Sequence, residues 1–147
     1  MSTYLFNSNR LGFREWQEKD LIPLFKMCSD PEVMKYFPAA LDMAEAKQLM
    51  IVMKNEYKKR AYCYFAVDHL HHKEFIGFIG LKWQTYPSDF NPSIDIGWRL
   101  SKKYQGLGLA TEGAKRCITY GFSELGIKKI VAVAPKINEP SIHVMKK

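Results

Sequence analysis

Residues 104–110 read Tyr-Gln-Gly-Leu-Gly-Leu-Ala, and the fold is inferred outward from this stretch. Its two glycines free the backbone to turn tightly and to approach a ligand closely. Residues 93–100 before it alternate apolar and polar side chains as a strand does, and from Ala110 the apolar period becomes helical. A helix that opens after a glycine loop presents unpaired N–H groups and the positive end of its dipole. The spacing indicates a phosphate or pyrophosphate site, with a plain glycine turn as the alternative.

Two common phosphate-binding motifs do not fit this loop. No G-x-x-x-x-G-K-[S/T] run occurs anywhere in the chain, which excludes a P-loop. The dinucleotide fingerprint needs a third glycine where Thr111 stands. It also needs an acidic residue on the next strand, and the predicted strand 127–134 carries none.

The residues before the loop predict one strand, two helices and then three antiparallel strands. Residues 10–15 alternate as a half-buried strand does, and Asp20 is a candidate cap for a short helix that follows. Asp42 and Glu45 have capping-box spacing ahead of a longer helix. Aromatic and β-branched runs predict strands over 61–67 and 75–83, joined as a hairpin, and the strand over 93–100 follows.

The residues after the loop predict a helix, a strand and a final helical stretch. The expected apolar face of the first helix consists of Ala110, Ala114, Cys117, Ile118, Phe122 and Leu125, and Gly126 is expected to end it. Residues 127–134 read as a short apolar strand, and Asn138 opens the last helical stretch. This order predicts a single α/β or α+β domain over residues 1–147.

Charge is distributed unevenly along the 147 residues, whose formal net charge is +7. The first 98 residues hold twelve basic and twelve acidic side chains, whereas residues 99–147 hold ten basic and three acidic ones. The whole excess therefore falls in the segment that contains the glycine loop, which favours an anionic partner there. A hydrophobic content of 47% excludes global disorder.

Cysteine and histidine usage favours neither disulfides nor a metal site. Cys28, Cys63 and Cys117 are widely spaced among apolar neighbours, as buried free thiols in a reducing compartment are. The cluster at residues 69–72 holds three histidines beside Asp68, but loop histidines without a second ligand cluster are usually solvated, so no metal is expected. Residues 1–10 contain no signal-peptide-like apolar run, and no stretch has the ~18 apolar residues that span a membrane. A cytoplasmic location is predicted.

The glycine loop matches the signature Q/R-x-x-G-x-G/A through Gln105, Gly108 and Ala110. It thereby resembles GNAT-superfamily acetyltransferases, which hold the pyrophosphate of acetyl-coenzyme A with this signature. Other segments resemble the ribosomal-protein N-terminal acetyltransferase branch of that superfamily, in the same order along nearly the whole chain. These segments are residues 10–14 with Asp20 and Leu21, residues 30–36 (Asp-Pro-Glu-Val-Met-Lys-Tyr), residues 94–98 (Ile-Asp-Ile-Gly-Trp), residues 110–112 (Ala-Thr-Glu) and residues 138–141 (Asn-Glu-Pro-Ser).

The resemblance implies a GNAT fold, with a mixed, mostly antiparallel sheet and helices on both faces. It also implies a splay between the strands near 93–100 and 127–134, in which pantetheine lies. Gly97 suits this strand because a glycine bends it and leaves no side chain to block the thioester, although a simple bulge glycine stays the alternative. The family continues past the last helix with two more strands, so the domain ending at Lys147 is expected to lack them.

The resemblance also implies which residues hold acetyl-coenzyme A as co-substrate. Backbone N–H groups near Gly97 and Trp98 are candidates for polarising the thioester carbonyl. The full set of implied cofactor-binding residues is Gly97, Trp98, Arg99, Leu100, Lys103, Gln105, Gly106, Leu107, Gly108, Leu109, Ala110, Thr111, Asn138 and Ser141. Glu112, at the helix start, is interpreted as structural.

Direct acetyl transfer needs a neutral amine, because an ammonium has no lone pair. An α-amine has a pKa of ~7.7–8.0 and a lysine amine one of ~10.4, so a weak base serves an N-terminus more easily. Asp95 stands where the family often has Glu and is the candidate base; an exposed strand carboxylate paired with Lys or Arg is the alternative. Many family members protonate the departing thiolate with a Tyr seven positions after the helix Asn, but Met145 stands there. Ser141 is the donor that this branch suggests, or else a helix-start hydroxyl.

The sequence thus predicts an N-acetyltransferase that moves acetyl from acetyl-coenzyme A to a primary amine, with a protein N-terminus as the expected acceptor. A polyamine or amino sugar acceptor is the alternative within enzymes. The alternative from another class is a basic module that associates with RNA, or one that binds acyl-coenzyme A without turnover. An RNA module is expected to interleave aromatics with its basic residues on an exposed surface. Here the basic residues of the last third flank the glycine loop and lie on predicted helices, so no direct nucleic-acid contact is expected, and a homodimer is left open.

Overall fold

The computed structural model describes residues 4–34, 41–85 and 93–132. The predicted final helix, with Asn138 and Ser141, lies outside the described residues.

The described residues form a six-stranded sheet whose strands are adjacent in chain order. Neighbouring strands from the first to the fifth pair antiparallel, and the last pair is parallel. The strands are β1 (Phe6–Asn7), β2 (Leu11–Arg14), β3 (Tyr64–His69), β4 (Glu74–Gln84), β5 (Ser93–Leu100) and β6 (Val131–Ala132). The mixed, mostly antiparallel sheet predicted from the sequence is confirmed.

Two strands start three or more residues later than predicted. β3 starts at Tyr64 rather than at residue 61, because Ala61 ends the preceding helix in a left-handed conformation with φ 66°. Residues 127–130 are not strand, so the predicted start of β6 at Ile127 is wrong. Ile127 and Ile130 pack instead over Gly121, where their Cδ1 atoms lie 3.5 and 3.1 Å from the position of a built Cβ.

Four α-helices are present among the described residues. They are α1 (Leu21–Ser29), α2 (Pro31–Met34), α3 (Met43–Arg60) and α4 (Leu109–Ser123). The capping box predicted for α3 is confirmed, since the Asp42 carboxylate accepts from the Glu45 N–H at 2.8 Å and the Glu45 carboxylate accepts from the Asp42 N–H at 3.0 Å. The two reciprocal bonds satisfy orphan donors at the helix start.

The apolar face of α4 is rotated from the predicted one. Its buried residues are Leu109, Gly113, Ala114, Cys117 and Gly121, whereas the side chain of Phe122 is 47% exposed. A Cβ built on Gly113 would lie 2.3 Å from Ile79 Cδ1, so this glycine allows the helix to lie close to β4. The prediction is confirmed at Ala114 and Cys117, and Ala110, Ile118 and Leu125 pack against the core while partly buried. It missed the two glycines because apolar periodicity counts hydrophobic side chains, whereas the close approach of this helix to the sheet requires positions without one.

Helices cover both faces of the sheet, as predicted. On one face α4 packs against Ile79. On the other, Cys28 of α1 accepts a 3.4 Å hydrogen bond from the Arg99 guanidinium, which lies 5.3 Å from the centroid of the Phe78 ring. Phe78 and Ile79 are adjacent in β4, and their side chains therefore point to opposite faces. The face that carries Phe78 and Arg99 is called the α1 face.

All three cysteines are buried free thiols, which confirms the prediction made from their spacing. Among the described residues, no helix has the length and apolar character needed to cross a bilayer.

Candidate active site

The glycine loop lies between β5 and α4. β5 ends at Leu100, a single 3₁₀ turn follows over Lys102–Tyr104, and α4 begins at Leu109. Gly106 and Gly108 have φ values of 76° and 79°, in the left-handed region that L side chains rarely adopt. Within the part of the chain that the structure describes, no atom beyond its chain neighbours lies within 4 Å of a Cβ built on Gly106. Glycine is therefore required here by the backbone turn and not by crowding.

The first turn of α4 supplies hydrogen-bond donors at the end of this loop. Gly108 is the N-cap, and its carbonyl accepts from the Glu112 N–H at 3.0 Å. The N–H groups of Leu109, Ala110 and Thr111 belong to the set for which an α-helix provides no intrahelical acceptor. The positive end of the helix dipole lies at the same place, so the arrangement is suited to an anionic group.

Arg10 and Glu112 hold the loop against the start of β2. The Arg10 guanidinium contacts Glu112 Oε1 at 2.7 Å through Nε and donates to the Leu107 carbonyl at 3.0 Å through Nη1. Glu112 Oε2 accepts from the Arg10 N–H at 2.8 Å and from the Ser8 hydroxyl. These contacts agree with the structural interpretation of Glu112. Arg10 was not predicted to contact the loop, because a strand start gives no signal of its distant partner.

Replacing Glu112 with Gln is expected to lower the free energy of unfolding by about 1–2 kcal/mol at pH 7, because charge-assisted bonds of the carboxylate are lost. Partial burial raises the pKa of Glu112, but bonds from Ser8 and Arg10 outweigh it and lower the pKa below its ordinary value. A depressed folded-state pKa gives stability that is present above the unfolded pKa and is lost as pH falls. The free energy of unfolding of wild type, measured in urea, should therefore exceed that of Glu112→Gln by less at pH 4 than at pH 7. A constant difference across that range would contradict this assignment, and the exposed Glu124→Gln is the control.

Several predicted cofactor-binding side chains contact the protein itself. The Gln105 amide donates to the Leu100 carbonyl at 3.0 Å and so holds the loop to the end of β5. Lys103 Nζ lies 3.0 Å from Glu74 Oε2, in an exposed ion pair. The Leu107 side chain is 54% exposed. In this loop the backbone, rather than these side chains, is the part arranged for a ligand.

Asp95 lies on β5, on the α1 face, and is only 8% exposed. Its Oδ1 accepts a 2.6 Å hydrogen bond from the Tyr64 hydroxyl, and its Oδ2 accepts from the Gln84 amide at 3.1 Å. Burial raises the pKa of Asp95 above its ordinary value, although these two bonds and the positive charge of Lys82 act in the opposite direction. The higher pKa makes this carboxylate a stronger base than an exposed one. The interpretation as an exposed strand carboxylate is therefore wrong.

Gly97 makes room for the ring of Tyr64. A Cβ built on Gly97 would lie 2.8 Å from two ring carbons of Tyr64 and 2.9 Å from its hydroxyl oxygen. The ring also stacks on Phe78, with centroids 5.5 Å apart and planes at 14°. The space over this face of Gly97, which the sequence prediction left for a thioester, is thus occupied by an aromatic side chain.

Tyr64 and Gln84 are the site residues that sequence reasoning missed. Tyr64 lies on a predicted strand and Gln84 directly follows one, and the register pairs Tyr64 with Gly80 and Lys82 with Asp95. The three side chains converge because β3, β4 and β5 are neighbours in the sheet. Period-two alternation shows which side chains share a face of one strand but not which positions of two strands are adjacent.

The predicted splay between β5 and β6 is only partly described. The two strands pair in parallel through Asp95 with Val131 and Ile96 with Ala132. Positions beyond residue 132, where pantetheine is expected, lie outside the described residues. Trp98 is half-buried, and Leu100 is buried.

The histidine loop packs on the turn that precedes the glycines. His72 Nδ1 lies 3.2 Å from the Tyr104 hydroxyl, which also donates to Glu74. Burial and the neighbouring His72 lower the pKa of His69. Within residues 4–34, 41–85 and 93–132, no group of three or more potential ligands is arranged to hold a metal ion.

Comparison with known proteins identifies relatives over nearly the whole chain. The family described as "Acetyltransferase (GNAT) domain" matches residues 10–147. YnaD, an uncharacterized N-acetyltransferase of Bacillus subtilis strain 168, is 32% identical over 141 residues, which are 95% of this chain and 78% of YnaD. The spermidine N(1)-acetyltransferase of Escherichia coli K12 is 44% identical over 48 residues, which are 33% of this chain and 26% of that enzyme.

Solved structures of acetyltransferases have the same fold. A GNAT-family acetyltransferase from Bacillus anthracis has a TM-score of 0.79 at 26% identity, with 95% of this chain and 79% of that chain covered. The ribosomal L7/L12 α-N-protein acetyltransferase RimL, in complex with coenzyme A, has a TM-score of 0.76 at 16% identity, with 95% and 78% covered. At 16% identity, the similarity to RimL shows a shared fold and nothing more.

The family model matches residues 10–147, and YnaD is 32% identical over 95% of the chain. Both findings agree with the order of the strands in the sheet and with the glycine loop before α4. The chain belongs to the GNAT family and is an acetyl-coenzyme A-dependent acetyltransferase.

Proposed function

We propose that the protein transfers acetyl from acetyl-coenzyme A to the α-amine of a protein or peptide N-terminus. The observation that carries the proposal is the environment of Asp95, a buried carboxylate with a raised pKa on the strand that leads into the glycine loop. In this proposal the loop backbone at Gln105–Gly108 and the first turn of α4 bind the pyrophosphate. The backbone of Gly97–Leu100 holds the pantetheine, and Asp95 takes the amine proton.

The choice of acceptor follows from amine chemistry. At pH 7 about one α-amine in ten is neutral, whereas for a primary amine of pKa ~10.4 the fraction is below about one in a thousand. A carboxylate is a weak base even with a raised pKa, so it gains most from an amine that deprotonates readily. This favours an N-terminal amine over a lysine or polyamine.

Charges on the α1 face also favour such an acceptor. The positive charge of Lys82 acts on the Asp95 carboxylate. A polycation approaching Asp95 would be repelled by Lys82 more strongly than a peptide N-terminus, which carries a single charge. The polyamine remains the second candidate, because the chain shares a 48-residue stretch with a spermidine acetyltransferase.

The acceptor is tested by measuring thiol release with three amines at equal concentration. These are a lysine-free peptide with a free α-amine, the same peptide α-acetylated and carrying one lysine, and spermidine. We expect kcat/KM for the first to exceed that for the other two by at least about tenfold, with the acetylated position assigned by mass spectrometry. Faster turnover of spermidine would overturn the proposed acceptor in favour of a polyamine.

A further inference from the structure

We propose that Tyr64 is a catalytic residue that passes a proton to the departing sulfur while Asp95 takes one from the attacking amine. The inference rests on the proposed function, in which Asp95 is the base and the backbone of Gly97–Leu100 holds the pantetheine. It assigns the proton donor to a strand of the sheet, whereas the resemblance suggested Ser141.

The hydrogen bond between the two side chains provides the path. While Asp95 is ionised, the Tyr64 hydroxyl donates to its Oδ1 at 2.6 Å. Once Oδ1 has accepted the amine proton, the direction of the same bond reverses, so that the carboxyl donates and the phenol oxygen accepts. The proton of the Tyr64 hydroxyl is then released for transfer elsewhere.

The hydroxyl lies where such a transfer is useful. The Tyr64 ring is held between Phe78 and the backbone of β5, and its hydroxyl oxygen is 2.9 Å from a Cβ built on Gly97. Gly97 begins the stretch of β5 backbone that is proposed to hold the pantetheine. Because the ring fills the α1 face over Gly97, the thioester is placed beside the Tyr64 hydroxyl and not over that face. The Gln84 amide lies 3.1 Å from both the Tyr64 hydroxyl and Asp95 Oδ2. Because it bonds both partners, it keeps them aligned as the charge on Asp95 changes.

The proton balance closes on these two side chains. The amine nitrogen forms a bond to the acetyl carbon, and the carbon–sulfur bond breaks. The amine proton goes to Asp95, the Tyr64 proton goes to the sulfur, and the Asp95 proton returns to Tyr64. The product thiol thus carries one proton more than the leaving thiolate, the amide nitrogen has lost one, and both side chains end as they began.

The carboxyl makes the tyrosine an adequate donor. A phenol has a pKa of about 10 and a thiol one of about 8.5, so tyrosine alone is a poor acid toward a thiolate. A protonated carboxyl at 2.6 Å restores the phenol proton in the same step, and the phenolate does not accumulate. The pair therefore acts as a single donor.

Tyr64→Phe is the decisive variant because it removes only the hydroxyl and keeps the ring over Gly97. We expect kcat to fall at least about 100-fold, with KM for acetyl-coenzyme A changed less than about twofold. The loss of kcat at high pH that tyrosine ionisation causes should be absent in the variant. Tyr62→Phe, at a buried tyrosine just before β3, is the matched control and should keep wild-type kinetics.

A second readout needs no turnover. In the ligand-free protein, the carboxyl ¹³C resonance of Asp95 should titrate at higher pH in Tyr64→Phe than in wild type, because the hydrogen bond from Tyr64 lowers that pKa. Tyr62→Phe should leave the titration unchanged. An unchanged titration in Tyr64→Phe would overturn the proposed bond and the pathway with it.

The outcomes separate this inference from the proposed function. If wild type acetylates the peptide and Tyr64→Phe keeps its kcat, or loses it but keeps the high-pH decline, proton transfer through Tyr64 is wrong while the proposed function stands. If Ser141→Ala abolishes turnover and Tyr64→Phe does not, the donor is Ser141. If wild type acetylates none of the three amines, the proposed function fails and takes this inference with it.

Discussion

Asp95→Asn is expected to lower kcat by about 10²- to 10⁴-fold, because the variant retains the size of the side chain but no longer accepts a proton from the amine. In wild type, kcat/KM should rise with pH as Asp95 ionises, over a range displaced upward by burial. The variant should lack this rise. Both profiles are measured by thiol release with the free-α-amine peptide, and Glu124→Gln, an exposed carboxylate at the end of α4, is the control.

Unfolding does not explain the expected loss. The folded-state pKa of Asp95 is raised, so the stability linked to its protonation is present at low pH and is lost as pH rises through the folded pKa. Asn has no ionised carboxylate whose burial destabilises the folded protein at pH 7. The melting temperature of the variant should therefore be no lower than that of wild type. Full activity in Asp95→Asn would remove Asp95 as the base while leaving the family assignment intact.

Gly108→Val is expected to weaken acetyl-coenzyme A binding by at least about 30-fold in calorimetric titration. Gly108 has φ 79°, and a β-branched residue is strongly disfavoured in that region. Among the described residues, only Arg10 Nη2, at 3.5 Å, lies within 4 Å of a Cβ built there, so the expected effect comes from the changed loop backbone and not from a clash.

Gly126→Val is the matched control for this variant. Gly126 also has a left-handed φ, of 68°, and no atom of residues 4–34, 41–85 or 93–132 beyond its chain neighbours lies within 4 Å of a built Cβ, but it follows the opposite end of α4. Both variants should lose comparable stability, and only Gly108→Val should lose binding. Equal affinity in the two variants would contradict the assignment of the glycine loop to the pyrophosphate.

The glycine loop and most of the secondary structure could be predicted because their signals are local. Left-handed glycines and the capping box at Asp42 depend on neighbours within a few residues. The rotated face of α4 could not be predicted, since Gly113 is buried only because Ile79 lies against it. Tyr64 and Gln84 were missed for the same reason, because their contacts with Asp95 depend on the register of three strands.

The charge excess falls in the segment that contains the glycine loop, but it is a weaker argument for an anionic ligand than the net charge suggests. Several of its cations contact the protein itself. Lys103 pairs with Glu74, and the Arg116 guanidinium donates to the Asn7 carbonyl at 2.7 Å and lies over the Phe6 ring. The argument for an anionic ligand therefore rests on the backbone of the loop and the start of α4 more than on net charge.

The melting temperature of the full chain with acetyl-coenzyme A, NAD or ATP tests whether the loop is an acetyl-coenzyme A site. At a concentration of 100 times Kd, a ligand that binds only the folded protein adds about 2.7 kcal/mol of stability. For a chain of this size, this added stability raises the melting temperature by several degrees. We predict such a rise with acetyl-coenzyme A and none with NAD or ATP. No rise with acetyl-coenzyme A, or equal rises with all three, would contradict the assignment.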